Sequence, residues 1–301
     1  MSSSHRERIR QALRGEAYDR IPRGEFFISP EFARAFAPVA AGSPLSWQIV
    51  QELDLDLAAV PLSAGWGALE QPDEDQALAD LGQWHSESDR FVFALIDGPF
   101  SSAVKLGGFN SLLHYVQGAP HMARELFRRG AEETRVVAQA VRDASADGVI
   151  LGEDIAYNRT TFIGPNELRA LYFPELLNAA RAVHALGLAA IFHSDGNLNA
   201  VLPDLGGCEL DGLQGIEPEA GMSMASARAQ LGQGLTLWGN LSYEFLGAAR
   251  TEAEIHQALQ QVIASAQPGP LIFGSCSGLV SGLNPETVRR VYAALSARLF
   301  Y

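Results

Sequence analysis

Short runs of apolar residues alternate along the chain with longer stretches in which apolar residues recur at helical spacing. The clearest run lies within residues 188–197, where it ends at His193, Asp195 and Gly196. A run this short and apolar belongs to a buried strand or a buried helix segment, and the turn residues after it favour a strand. We therefore predict a strand whose exit carries a histidine and an aspartate.

The same pattern predicts eight strands. They are expected at 21–27, 55–60, 91–96, 148–153, within 188–197, and at 212–218, 235–240 and 270–276. Helical patterns separate most of them, at 5–13, 43–52, 120–144, 164–186, 222–231, 251–266 and from 284 onward. This alternation predicts a single (β/α)₈ TIM-barrel domain over residues 1–301 with an N-terminal helix, and an open doubly wound sheet is the alternative. Residues 68–89 interrupt the alternation of strands and helices and are predicted to form a loop or hairpin insertion.

Composition narrows the class of protein. The chain has 301 residues, 47% hydrophobic and 19% charged, with a net charge of −13 that disfavours nucleic acid as a partner. Two cysteines exclude a disulfide framework. No apolar stretch approaches the roughly 18 residues of a membrane span, and residues 2–8 lack the apolar core of a signal peptide. We expect a cytoplasmic protein that does not bind membranes.

Chemistry in a parallel barrel is placed at the carboxyl ends of the strands. Polar or reactive residues follow most of the predicted strands, and loop polarity alone accounts for about half of them. These strand-end residues are Glu25, Asp97, Glu153 with Asp154, His193 with Asp195, Glu217, Asn240 and Cys276. Glu153, His193 and Cys276 together form the most informative set, because all three residue types can bind a metal.

Several motifs, in this order, resemble the uroporphyrinogen decarboxylase superfamily. They are the opening 6–15 with 19–22, the turn 152–156 leading to 164–165, His-x-x-Gly-Asn at 193–197, the strand end 238–241, and 273–276 followed by 284–288. The superfamily also contains zinc-dependent methyltransferases that take methyl groups from corrinoid proteins. The resemblance covers nearly the whole chain and implies a (β/α)₈ barrel.

The decarboxylase branch fits this chain less well than the methyltransferase branch. Uroporphyrinogen decarboxylases hold their substrate's carboxylates with arginines just after the first strand, whereas residues 26–32 here contain none. The family's closing Gly-His-Gly is replaced by residues 276–278, Cys-Ser-Gly. Asp54 or Asp56 stands near the place of the catalytic aspartate. A substrate with eight carboxylates would be poorly neutralised by such a chain.

The methyltransferase branch carries His-x-Cys after the fifth strand and a second cysteine after the eighth, and these bind zinc. His193 and Cys276 match that pattern, while Asp195 replaces the first cysteine. Glu153 is a further oxygen ligand in this interpretation, so the expected metal ligands are Glu153, His193 and Cys276, with Asp195 as a ligand or a support. Zn²⁺ is therefore the expected metal. Candidate substrate-binding residues are Arg23, Tyr157, Asn158 and Asn240.

The expected function is that of a metal-dependent methyltransferase acting on a small molecule. It would move a methyl group between a corrinoid such as cobalamin, or a methoxylated substrate, and an acceptor such as a thiol, with a corrinoid protein as a partner. Two alternatives stay open: a tetrapyrrole decarboxylase of the uroporphyrinogen type, and a non-catalytic barrel that binds a corrinoid or tetrapyrrole. The aspartate at position 195 motivates the second alternative, because it replaces an expected ligand.

Overall fold

A computed structural model of the chain describes residues 3–37, 45–67 and 70–296. Within these residues, seven parallel strands form one curled sheet in which every strand pairs with its neighbour in the sequence. The strands are β1 (Leu57–Pro61), β2 (Phe91–Asp97), β3 (Gly148–Gly152), β4 (Ala189–His193), β5 (Gly212–Gln214), β6 (Thr236–Leu241) and β7 (Leu271–Ser275). This is the order of a TIM-type α/β barrel, as the sequence predicted.

Helices surround the sheet. They are α1 (His5–Leu13), α2 (Pro30–Phe36), α3 (Leu45–Glu52), α4 (Glu74–Glu87), α5 (Pro99–Gly107), α6 (Phe109–Gly118), α7 (Pro120–Asp143), α8 (Pro165–Leu171), α9 (Phe173–Ala185), α10 (Leu202–Leu205), α11 (Met224–Leu231), α12 (Tyr243–Gly247), α13 (Glu252–Ala266) and α14 (Pro285–Ser296). Residues 43 and 44 of the helix predicted at 43–52 lie outside the described residues. Within the described ranges, no helix is long and apolar enough to cross a membrane.

The predicted first strand, at 21–27, is the one strand that does not form as expected. This segment makes two isolated parallel bridges, Arg23 with Phe273 and Ile28 with Leu279. The backbone N–H of Gly24 donates to the Phe273 carbonyl at 2.9 Å, while the Arg23 carbonyl accepts from Asp56 just before β1 at 2.7 Å. The segment therefore joins β7 to β1 and closes the barrel, although Pro22 has no N–H for a regular ladder.

Residues 68–89 differ from the predicted loop or hairpin. Residues 68 and 69 lie outside the described part of the chain, and most of the remainder is helix α4. Asp73 begins the helix by accepting the Gln76 N–H at 3.0 Å. Ala77, Leu81 and Trp84 are buried at positions i, i+4 and i+7, so the acidic residues that suggested a loop form the solvent-facing side of an amphipathic helix.

The barrel interior is filled by its own cluster of apolar side chains, separate from the larger core between sheet and helices. Alternate residues of the strands point inward, as the pleat requires. Helix α1 covers the amino-terminal end of the barrel, where Ile9 and Ala12 join the interior cluster. The Thr236 hydroxyl at the start of β6 donates to the Ala12 carbonyl at 2.9 Å and fixes this cover. The carboxyl end of the barrel therefore remains as the place for a site.

Candidate metal site

The loops after β3 and β4 bring two aspartates together at the carboxyl end of the barrel. Gly152 on β3 is in register with His193 on β4, and Asp154 and Asp195 each follow two residues later. The Asp195 backbone N–H donates to Asp154 Oδ1 at 3.1 Å. Asp154 has a φ of 37°, a left-handed conformation that is uncommon for a residue with a Cβ and frequent at functional sites.

Asp154, His193 and Asp195 form a cluster suited to a metal ion, which we call the 154–193–195 cluster. One ligand atom from each residue lies within 4.8 Å of the other two. His193 Nε2 is 3.7 Å from Asp154 Oδ1. His193 is buried, and the two aspartates are partly exposed at the mouth of the barrel.

The His193 ring is held by contacts on two sides. Its Nδ1 is hydrogen-bonded to Gln214 Oε1, and the ring of Phe26 stacks on the imidazole with the centroids 4.2 Å apart. Gln214 is itself fixed, because its Nε2 donates to the carbonyls of Ser275 and Cys276 at 3.1 and 2.9 Å. The imidazole therefore has a defined orientation before any ligand binds.

The Asp195 carboxylate is short of partners. Its Oδ1 is buried and has no hydrogen-bond partner among the residues that the structure describes. Burial raises the pKa of Asp195 to about 6, His193 lowers this pKa, and the negative charges of Asp154 and Glu217 raise it further. Glu217 is held next to the Asp195 loop by a hydrogen bond, in which its Oε2 accepts the Gly196 N–H at 2.8 Å. A bound cation would satisfy the buried oxygen and relieve the repulsion among the carboxylates.

The three side chains fit a divalent metal by their chemistry. Zinc binds histidine nitrogen and carboxylate oxygen, and catalytic zinc sites use three protein ligands and leave one position open. The unpartnered Asp195 Oδ1 is the structural observation that favours such a site. We conclude that the cluster is suited to hold a metal of this class.

A pocket with an empty volume of about 570 Å³ opens beside the cluster. Its lining combines apolar walls with polar groups at two ends, and consists of Phe26, Phe27, Ser63, Ala64, Gly65, Leu95, Ile96, Asp97, Gly152, Asp154 and His193. At the end formed by Asp97, Lys105 Nζ donates to the Asp97 carboxylate at 2.5 Å and to Ser63 Oγ at 3.0 Å. The pocket therefore has a second polar end besides the metal cluster.

Glu153, expected as a metal ligand, is turned away from this pocket. Its Oε2 accepts the backbone N–H groups of Phe100 and Ser101 at 2.8 and 3.1 Å, and its Oε1 accepts the Tyr172 hydroxyl at 2.6 Å. Burial raises the pKa of Glu153 to about 8, although these three donors oppose the shift. Glu153 therefore supports the first turn of α5, which lacks a side-chain cap of its own.

Cys276 lies near the site without belonging to the 154–193–195 cluster. Its carbonyl accepts a hydrogen bond from Gln214, and its Sγ is 3.3 Å from Ser277 Oγ. The side chain is buried, and burial raises the pKa of the thiol to about 12. Cys276 thus connects to His193 through Gln214 rather than through a shared ligand position.

The expected substrate-binding residues are dispersed. Arg23 is buried on the outer side of the barrel, where it contacts Asp54 and the Ser296 hydroxyl. Tyr157 is 41% exposed and stacks on Phe162, and Asn158 is exposed. Asn240 donates to the Ile216 carbonyl at 3.0 Å and lines a different groove beside α13. None of these four lines the 570 Å³ pocket among the described residues.

Two residues of the site were not selected from the sequence. Asp154 appeared only as the neighbour of Glu153, because a strand-end pair does not reveal which side chain faces the axis. Gln214 is a fully buried amide in a short apolar strand, directly before Gly215, whose φ is 94°. A polar residue at such a position has to find hydrogen-bond partners inside the protein. A glutamine within an apolar strand is therefore the sequence signal that could have identified Gln214.

These features define a TIM-type α/β barrel with a polar, metal-suited cluster at the carboxyl end of its strands. The chain belongs to the uroporphyrinogen decarboxylase family: the family described as Uroporphyrinogen decarboxylase (URO-D) matches residues 85–297. The family resemblance of the sequence is thereby confirmed. No curated protein matches the chain.

Solved structures share the fold at low sequence identity. A methyltransferase from Methanosarcina mazei is 18% identical, with 97% of this chain and 98% of that chain covered and a TM-score of 0.80. A B12-independent methionine synthase from a Shewanella species is 13% identical over 92% and 94% of the two chains, with a TM-score of 0.57. A 3-keto-D-glucoside 4-epimerase from E. coli is 12% identical over 91% and 97%, with a TM-score of 0.51.

Proposed function

We propose that this protein is a metal-dependent methyltransferase in which Asp154, His193 and Asp195 hold a zinc ion. The observation that carries the proposal is the 154–193–195 cluster, in which one buried carboxylate oxygen has no hydrogen-bond partner within the described part of the chain. Three protein ligands leave a position for an acceptor, which the adjoining pocket can admit. The methyltransferase from Methanosarcina mazei, with a TM-score of 0.80, supports methyl transfer as the reaction.

The charge of the pocket argues against a tetrapyrrole decarboxylase. Of the lining residues that the structure describes, none is an arginine, and Asp97 and Asp154 both bring negative charge. Lys105, the cation near the pocket, is already paired with Asp97. A substrate with eight carboxylates would meet repulsion here rather than the bidentate pairs that arginines provide.

The side chains of the pocket have different roles in the proposed reaction. A zinc ion, when bound, supplies Lewis acidity that lowers the pKa of an acceptor thiol. Phe26 shields the His193 ring from water, and the end formed by Asp97, Ser63 and Lys105 orients the remote part of the acceptor through hydrogen bonds. In the transfer itself, the acceptor loses its proton and gains the methyl group, while the electron pair of the broken bond stays on the donor, for which a methylated corrinoid is the proposed carrier.

The ligand set also favours a second candidate, in which the reacting atom of the substrate is oxygen. One imidazole and two carboxylates form a harder ligand set than one that contains cysteine thiolates, and harder sets suit oxygen substrates. A methoxylated aromatic compound that gives its methyl group to a reduced corrinoid is the corresponding substrate. Both candidates use the same three ligands.

Methyl-transfer assays on metal-depleted and zinc-reconstituted protein test the proposal. Methylcobalamin is offered with a panel of thiols, and reduced cobalamin with methoxylated aromatics. We expect turnover that requires zinc and is lost in His193→Ala. His184→Ala is the matched control, because His184 forms a comparable pair with Asp211 at 2.9 Å, away from the cluster. Unchanged turnover in His193→Ala, or decarboxylation of uroporphyrinogen without metal, would overturn the proposal.

A further inference from the structure

Gln214 is a fully buried side chain on β5 that contacts three parts of the barrel's carboxyl end. Its Nε2 donates to the Ser275 carbonyl at 3.1 Å and to the Cys276 carbonyl at 2.9 Å, and its Oε1 is hydrogen-bonded to His193 Nδ1. Both amide hydrogens are therefore used at the end of β7, on Ser275 and on Cys276 that follows it, and the amide oxygen is left for the imidazole.

These contacts determine the direction in which the amide points. If the amide were rotated by half a turn, its oxygen would face the carbonyls of Ser275 and Cys276, two acceptors that cannot donate to it. The hydrogen-bond network therefore fixes Oε1 toward His193. An oxygen acceptor in that place pairs only with an Nδ1 that carries a hydrogen.

The consequence concerns the other nitrogen of the ring. A neutral imidazole with its hydrogen on Nδ1 has its lone pair on Nε2. Nε2 is the nitrogen that lies 3.7 Å from Asp154 Oδ1, on the side of the metal cluster. The tautomer set by Gln214 is thus the one that can bind a metal at the 154–193–195 cluster.

Packing closes the Nδ1 side of the ring to other partners. A Cβ at Gly215 would lie 3.2 Å from His193 Nδ1 and 2.6 Å from the Ser194 carbonyl, so the backbone approaches the ring closely. Phe26 covers one face of the imidazole. Gln214 is the side chain that reaches Nδ1 in this confined space.

We propose that Gln214 is a positioning residue that selects the Nδ1–H tautomer of His193 and so presents Nε2 to the metal. The inference rests on the proposed metal site, but its first part concerns the protein without metal. It therefore has a readout that does not depend on methyl transfer.

The test uses Gln214→Met, which keeps the length of the side chain and removes the amide, and Gln214→Glu, which keeps an oxygen acceptor toward His193 but loses the two amide donors to the Ser275 and Cys276 carbonyls. Nitrogen-15 NMR of the metal-free protein at alkaline pH identifies the His193 tautomer, and competition with a chromophoric chelator measures zinc affinity. We expect Nδ1–H in the wild type and in Gln214→Glu, loss of that preference in Gln214→Met, and roughly 10- to 100-fold weaker zinc binding in Gln214→Met. Thr236→Val, which removes a buried hydrogen bond at the other end of the barrel, is the control for stability.

The outcomes separate this inference from the proposed function. An Nε2–H tautomer in the wild type, or Gln214→Met with an unchanged tautomer, would overturn the role of Gln214. A wild type that shows Nδ1–H but binds no zinc would overturn the metal site while leaving the role of Gln214 in place. If neither variant folds, the wild type still decides, because an Nε2–H tautomer overturns the role of Gln214 and an Nδ1–H tautomer supports it.

Discussion

Two adjacent residues, Glu153 and Asp154, have opposite roles although both follow β3. Glu153 is fully buried and binds the first turn of α5 and the Tyr172 hydroxyl. Asp154, with its left-handed backbone, turns its carboxylate toward His193. Because the backbone turns between Glu153 and Asp154, the two side chains point in different directions, and only the Asp154 carboxylate faces the metal cluster.

This difference predicts contrasting effects of two isosteric substitutions. Glu153→Gln should leave zinc binding unchanged, and its stability relative to the wild type should improve as pH rises from 4.5 to about 8, because only the wild type has to keep a proton on this buried carboxyl group. Asp154→Asn should weaken zinc binding and change stability by about 0.5 kcal/mol or less, because its side chain is 41% exposed. Zinc titration and chemical denaturation of both variants check this. Equal loss of zinc in the two variants would show that Glu153 also binds the metal.

The sequence identified part of the site at the level of residues. His193 and Asp195 stand together in one strand exit, so their proximity followed from the chain itself. Asp154 and Gln214 come from other strands, and their orientation depends on backbone turns and on the register of β3, β4 and β5. Periodicity does not encode that information. Glu153 and Cys276 were strong candidates by residue type, but tertiary hydrogen bonds and packing set where their side chains point.

At the scale of elements, closure of the barrel depends on the segment between α1 and α2. Glu25 on this segment accepts hydrogen bonds from the Ser275 backbone and hydroxyl on β7 and from the Tyr292 hydroxyl on α14. Burial raises the pKa of Glu25 from its ordinary value of 4.5 to about 7, against the effect of these donors. Because burial outweighs these donors, the folded protein keeps a proton on Glu25 up to about pH 7.

This shift predicts how stability depends on pH. Between pH 4.5 and about 7, the folded chain keeps a proton on Glu25 that the unfolded chain releases, so stability falls as pH rises through this window. Glu25→Gln removes this contribution, and its stability relative to the wild type should improve by about 3 kcal/mol from the lower to the upper end of the window. Denaturant unfolding of both proteins at a series of pH values measures the difference. Parallel stability curves would refute the shift.

The secondary structure predicted from the sequence agrees with the structure where the hydrophobic pattern is strong. Continuous apolar runs predicted β2 to β7 correctly, because strands that are buried on both faces consist almost entirely of apolar residues. The helix α4 was missed because its acidic, solvent-facing side masked three buried positions. The closing segment at 21–27 was predicted as a strand, and it occupies that place in the barrel with only two bridges because of its proline and its side-chain contacts to β7.

For the molecule as a whole, the two ends of the barrel differ in chemistry. At the amino-terminal end, the carboxylate of Asp56 is surrounded by cations, with hydrogen bonds from Arg8 at 2.5 Å and Arg20 at 2.8 Å. At the carboxyl end, Asp154, Asp195 and Glu217 converge with no lysine or arginine among the cluster's described partners. One end supplies its own countercharges, and the other is arranged to receive a cation.

X-ray absorption at the zinc edge tests this account most directly, because it reports which atoms bind the metal. Zinc-loaded wild type should show only nitrogen and oxygen neighbours from the protein, at about 2.0–2.2 Å, and an identical spectrum in Cys276→Ser. A sulfur neighbour at about 2.3 Å that disappears in Cys276→Ser would contradict the 154–193–195 cluster as the metal site.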